Sequence, residues 1–159
     1  MTEFPATIED AGAMVRAAVR LPGCPPERAL AAFTDPAVLV RWWGGVLSAT
    51  LTPGGPYIVR FPQLGQAMNG QVVRYEPGSR LEFSWGWEHD PGAPRRTVLV
   101  TVTGGASTGG TELTVVHGPH GDGPHGDGPP GDTAEATARA EHREGWEFFL
   151  PRLGKLVSG

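Results

Sequence analysis

The chain has 159 residues, which suits one domain with a real core and leaves little room for a second. Its 13 Lys and Arg against 17 Asp and Glu give a net charge of -4 with no basic stripe, which weighs against nucleic acid or an anionic membrane as partner. The lone Cys24 precludes an internal disulfide, the start MTEFPATIED lacks a signal-peptide pattern, and no apolar run approaches the ~20 residues of a membrane span, so a cytoplasmic protein is expected.

Residues 1–12 are expected to form an N-terminal tail to a single domain covering 1–159. Ala13 to Leu21 alternates, with Val15, Ala17, Val19 and Leu21 on one face, and predicts a first strand. Pro25-Pro26-Glu27 and Asp35-Pro36 are helix-start signals for two short helices, Arg28 to Phe33 and Ala37 to Trp43, the second closed by Gly44-Gly45. Short alternating runs follow, punctuated by Pro-Gly and Gly-Gly turns. They predict strands near Val46 to Leu51, Tyr57 to Phe61, Gly70 to Tyr75, Leu81 to Trp87, Thr97 to Thr103 and Thr111 to His117, an antiparallel meander with one apolar face. Residues 118–132 contain the repeat GPHGD GPHGD GPPGD, which has nothing to bury and is expected to be a mobile loop. Asp132 to Val157 then predicts a long helix: Asp132 is placed to cap it, and Trp146, Phe149, Leu150, Leu153, Leu156 and Val157 share one face. Pro151 lacks the N–H that would reach the Glu147 carbonyl, which predicts a kink or break there.

Several stretches carry a family resemblance: PPERALAAFTDPAVLVRWWGG, GGPYIVRF, GQVVRYEPGSRLEFSWGW, TELTVVH and HREGWEFFLPRL. Together they resemble the SRPBCC (START-like) superfamily, and within it the homologues of the activator of heat-shock protein 90 ATPase. The resemblance implies an α+β helix-grip fold, in which a curved antiparallel sheet wraps a long C-terminal helix over a cavity. It implies binding of a small hydrophobic or aromatic molecule. Three alternatives come with it: a polyketide cyclase or aromatase-like enzyme, a chaperone-activating interaction module, and a self-resistance protein that sequesters a toxic metabolite. The repeat before Asp132 and the proline at 151 depart from the family pattern.

The aromatic set Trp42, Trp43, Tyr57, Phe61, Phe83, Trp85, Trp87, Trp146 and Phe149 either packs as core or lines the cavity. Val59 and Gly70 lie in register with the aromatic strands and join the candidate ligand-binding residues. His117 ends a strand on the face of Leu113 and Val115, and its ordinary pKa suits acid–base work. Arg74, if in register with Gly70 and Val72, would meet a carboxylate or phenolate, and Tyr57 would donate a hydrogen bond. These three are the catalytic candidates for an enzyme. His142, one turn before Trp146, either meets the cavity or holds structure, since no HExxH motif accompanies it. His120 and His125 with Asp122 and Asp127 make a poor metal site because they sit in the repeat, so no metal and no cofactor is expected. Cys24 has no neighbour to stabilise a thiolate, and GGASTGG reads as a hairpin turn. The expected partner is a small hydrophobic molecule, with no nucleic acid and no membrane; a chaperone is a further candidate, and the chain is a monomer or homodimer.

Overall fold

The computed structural model describes residues 6–92, 95–105, 110–120 and 133–158. Among them run β1 (Thr7–Ala11), β2 (Met14–Pro22), α1 (Pro26–Thr34), α2 (Pro36–Trp43), β3 (Val46–Ala49), β4 (Pro56–Phe61), β5 (Gln66–Glu76), β6 (Arg80–Trp85), β7 (Arg96–Gly105), β8 (Gly110–Gly118) and α3 (Thr133–Ser158). The eight strands form one antiparallel sheet in the order β1-β2-β8-β7-β6-β5-β4-β3. The long connection holding α1 and α2 carries the chain from β2 to the far edge. Because β2 returns to pair with β8, the sheet closes toward α3, giving the helix-grip arrangement.

The period-two pattern selects the inner face. Val15, His117 and Val98 lie abreast on β2, β8 and β7, and Phe83 and Val72 continue the row on β6 and β5. All five are buried. Against them pack Phe33 of α1, Trp42 of α2, and the α3 stripe Trp146, Leu150, Leu153 and Val157, spaced by three or four residues. Asp35 caps α2 by accepting from the Ala37 N–H at 3.0 Å, and Gly44 ends it in the left-handed conformation at φ 80°, which glycine adopts without a Cβ penalty. β5 makes the corner of the sheet. Its first half pairs with β4 and its second with β6, and at Gly70 the strands close so tightly that a Cβ would sit 1.8 Å from the Ser84 carbonyl oxygen.

Three expectations are corrected. The segment taken as an N-terminal tail contains β1, paired with β2 from Thr7↔Ala18 to Ala11↔Met14. As an edge strand it exposes most of its side chains, so TIEDA carries no buried alternation to read; the ladder and the ion pairs of Asp10 with Arg139 and Arg143, both 3.3 Å, hold it. Of the kink or break expected at Pro151, the break does not occur, and α3 runs through it from Thr133 to Ser158. An interior proline costs ~3 kcal/mol, whereas Trp146 and Leu150 before it and Leu153 and Val157 after it each gain ~1.5–3 kcal/mol by burial, so both halves stay on one stripe. The third correction concerns the loop: its first residues are fixed, with His120 fully buried and its N–H donating to Ala13 O at 2.7 Å. Asp132, the GPHGD residues 121–131 and most of GGASTGG lie outside the described residues.

Tyr57 ties α1 to the sheet by donating to the Phe33 carbonyl at 2.6 Å, at the end of α1 where carbonyls lack helical partners. Replacing it, Tyr57→Phe, is expected to destabilise the fold by about 1–2 kcal/mol in urea unfolding, because a buried acceptor loses its donor. An unchanged midpoint would show that the bond contributes nothing.

Candidate functional site

Between α3 and the ends of β4, β6, β7 and β8 lies a pocket of about 730 Å³. Eight sequence candidates line it: Trp43, Phe61, Trp85, Trp87, His117, His142, Trp146 and Phe149. Their rings form a connected wall. Trp43 stacks on Trp85 at 5.9 Å and meets Trp146 at 5.5 Å; Trp87 stands edge-on to Trp85 at 5.6 Å; and His117 stacks on His142 at 4.1 Å with the planes 27° apart. Small residues of α3, Ala138 and Gly145, complete the lining on the helix side.

The other six stand elsewhere. Trp42 is core and donates its indole N–H to Ala32 O at 2.8 Å. Tyr57 is committed to Phe33 and stacks on Phe83 at 4.0 Å; burial pushes its phenol far above the ordinary range. Val59 and Phe83 are core, and Gly70 serves the corner of β5. For Arg74 a bulge between Val72 and Arg74 shifts the register so that Arg74 faces Glu82 on the solvated side. The extra residue defeats the alternation from Gly70, so Arg74 does not reach the pocket. The three catalytic candidates are therefore separated, and only His117 lines the pocket.

Hydrogen bonds fix the histidine tautomers. Trp146 Nε1–H donates to His117 Nδ1 at 3.0 Å, so the neutral His117 ring carries its proton on Nε2. The Ala13 carbonyl lies 3.1 Å from His120 Nδ1 and can only accept, so that nitrogen is protonated and His120 Nε2 accepts from His142 Nδ1–H at 2.9 Å. His142 is left with a lone pair on Nε2. All three rings are held neutral. Burial, then the neighbouring His142, His120 and Arg96, push His117 well below its ordinary value. Burial, then His120, takes His142 down to about 3, and burial also lowers His120.

Two buried groups were not among the ligand-binding or catalytic candidates. Arg96 makes paired hydrogen bonds to Glu135 at 2.9 and 2.5 Å and a third to Pro119 O at 2.9 Å. It shares the inward face of Val98 and Val100, so the β7 alternation would have found it had the strand begun one residue earlier. His120 had no local signal, because its partners Ala13 and His142 are distant in sequence. His125, Asp122 and Asp127 lie outside the described residues, among which no group of three or more His, Cys, Asp or Glu is arranged to hold a metal. Cys24 is buried, which raises its thiol pKa.

No helix among the described residues is long and apolar enough to cross a membrane. No curated protein matches the chain. Among solved structures, DynU16, a putative protein in the dynemicin biosynthetic locus, is 32% identical over 91% of this chain with a TM-score of 0.67. This chain spans 47% of DynU16, about half its length. CalU16 from Micromonospora echinospora is 24% identical over 100% of this chain and 75% of its own, with a TM-score of 0.67. MLL2253 from Mesorhizobium loti shares the fold at 23% identity, 91% and 96% coverage and a TM-score of 0.72. Residues 23–158 match the family described as Activator of Hsp90 ATPase homolog 1-like protein, and the chain belongs to that family.

Proposed function

We propose that the chain binds a small hydrophobic or aromatic molecule in the pocket under α3. The observation that carries this reading is a pocket of about 730 Å³ walled by Trp43, Trp85, Trp87 and Trp146, with its histidines neutral. A planar ligand burying ~300 Å² of apolar surface gains ~7 kcal/mol before association costs, which supports micromolar binding once aromatic contacts are added.

The cyclase-like alternative is weaker on the same geometry. A general base needs a pKa near the working pH to hold the proton it takes, and His142 lies about four units below neutrality. Arg74 and Tyr57 stand apart from the pocket. Sequestration of a toxic metabolite fits the geometry as well, since it asks only for enclosure; the placement of DynU16 in the dynemicin biosynthetic locus is the observation in its favour.

Gly145 tests the site directly. It lines the pocket, and a Cβ there meets nothing within 4 Å, so Gly145→Phe fills the space while improving helix propensity. Calorimetric titration with 2-naphthol is expected to give micromolar binding to the natural chain and at least tenfold weaker binding to the variant, with thermal stability retained. Equal affinities would remove the pocket as the site.

The neutral histidines also set a pH dependence. Their folded pKa values lie below the unfolded value of ~6.5, so the unfolded chain binds more protons between these limits. Stability is therefore full above pH ~6.5 and falls toward pH 3. The expected slope is at least one proton's worth, ~1.4 kcal/mol per pH unit, in urea unfolding between pH 6 and 4. His142→Leu should flatten it, and an unchanged slope would show that the cluster is not buried in its neutral form.

A further inference from the structure

Two N–H groups at the pocket have no acceptor among the described residues. Trp85 Nε1 is buried and unpartnered, and so is His117 Nε2. Both side chains line the pocket, and their rings lie 4.7 Å apart. The His117 proton has no other place to go, because Trp146 occupies Nδ1 as a donor at 3.0 Å. A buried donor without an acceptor is destabilising and correspondingly uncommon, and two on adjacent rings of one pocket point to a shared missing partner.

Resting on the reading that the pocket holds a small aromatic molecule, we infer that this ligand carries a neutral carbonyl oxygen, of the aryl ketone or quinone class, that accepts from Trp85 Nε1–H and His117 Nε2–H. An sp² oxygen has two lone pairs in one plane and takes two donors without bringing a hydrogen of its own. Both nitrogens are closed to water in the free chain, so the oxygen reaches them only as its molecule inserts between α3 and the sheet and parts the rings that cover them. A carboxylate is a poorer occupant. Its charge must be desolvated, the Arg96 guanidinium is already engaged with Glu135, and Asp90 and Glu141 add negative charge to the lining. A hydroxyl elsewhere on the ligand finds its acceptor in the lone pair of His142 Nε2, the one ring nitrogen of the cluster fixed as an acceptor and facing no donor among the described residues.

Three probes of nearly one shape separate the polar anchor from pocket binding: 2-acetylnaphthalene, 2-ethylnaphthalene and naphthalene-2-carboxylate, each titrated by calorimetry at pH 7.5. The ketone is expected to bind about tenfold more tightly than the hydrocarbon, the gain from one or two net hydrogen bonds, and the carboxylate most weakly. In the ¹H–¹⁵N spectrum the Trp85 indole proton, one of 5 in the chain, should move downfield with the ketone and stay with the hydrocarbon. Trp85→Phe removes ring area from the wall for every probe, so it is read as a ratio: the preference for ketone over hydrocarbon should shrink at least threefold, and an unchanged preference overturns the inference. If that variant does not fold, the indole shift in the natural chain decides. Equal affinities for ketone and hydrocarbon without an indole shift, or tightest binding of the carboxylate, overturn the inference and leave the pocket reading standing. Failure of all three probes to bind overturns both.

Discussion

The hydrogen bond from Trp146 Nε1 to His117 Nδ1 joins the long helix to the centre of the sheet, and much of the site follows from it. His117 lies on β8 between Val15 and Val98, where an imidazole without a partner would be costly to bury. The indole removes half of that cost and fixes the tautomer. It also sets the height of α3 over the sheet, since Trp146 heads the apolar stripe that continues through Leu150, Leu153 and Val157. On the other side of the same ring, His142 stacks at 4.1 Å and passes its Nδ1 proton toward His120 and the Ala13 carbonyl. One bond between neutral groups thus orders a polar cluster that holds no charge.

How far the sequence reached depended on whether a feature was local. The inner face of β8 was legible because Leu113, Val115 and His117 alternate without interruption, and the family stretches supplied the topology that alternation cannot. Eight of the fourteen candidates fall on the pocket. Most of the rest went to the core because a period-two pattern states which face is buried and not whether a cavity or a neighbour covers it. Arg74 was lost to one extra residue in β5, and a bulge leaves no mark in the alternation upstream of it. β1 was missed for lack of a buried face. His120 was the least legible, since it sits in a run of Gly, Pro, His and Asp, and only tertiary contacts from Ala13 and His142 make it part of the structure.

The pocket itself follows from a change of character along one face of α3. Glu135, Arg139, His142, Trp146, Leu150, Leu153 and Val157 step by four and three along a single stripe. From Trp146 onward the stripe is apolar and closes on the core. Before it the stripe is polar, and the neighbouring positions Ala138 and Gly145 are small, so the helix does not fill the space above Trp85. That first half is held by charge: Arg96 to Glu135 across from β7, and Arg139 to Asp10 and to the Gly12 and Met14 carbonyls across from the first hairpin. A buried ion pair gains little net stability over apolar packing, because desolvation offsets most of the attraction. What it does provide is position. Glu135 and Arg139, fixed to β7 and to the first hairpin, locate the first half of α3, and the small Ala138 and Gly145 on the pocket side leave the volume beneath the helix open.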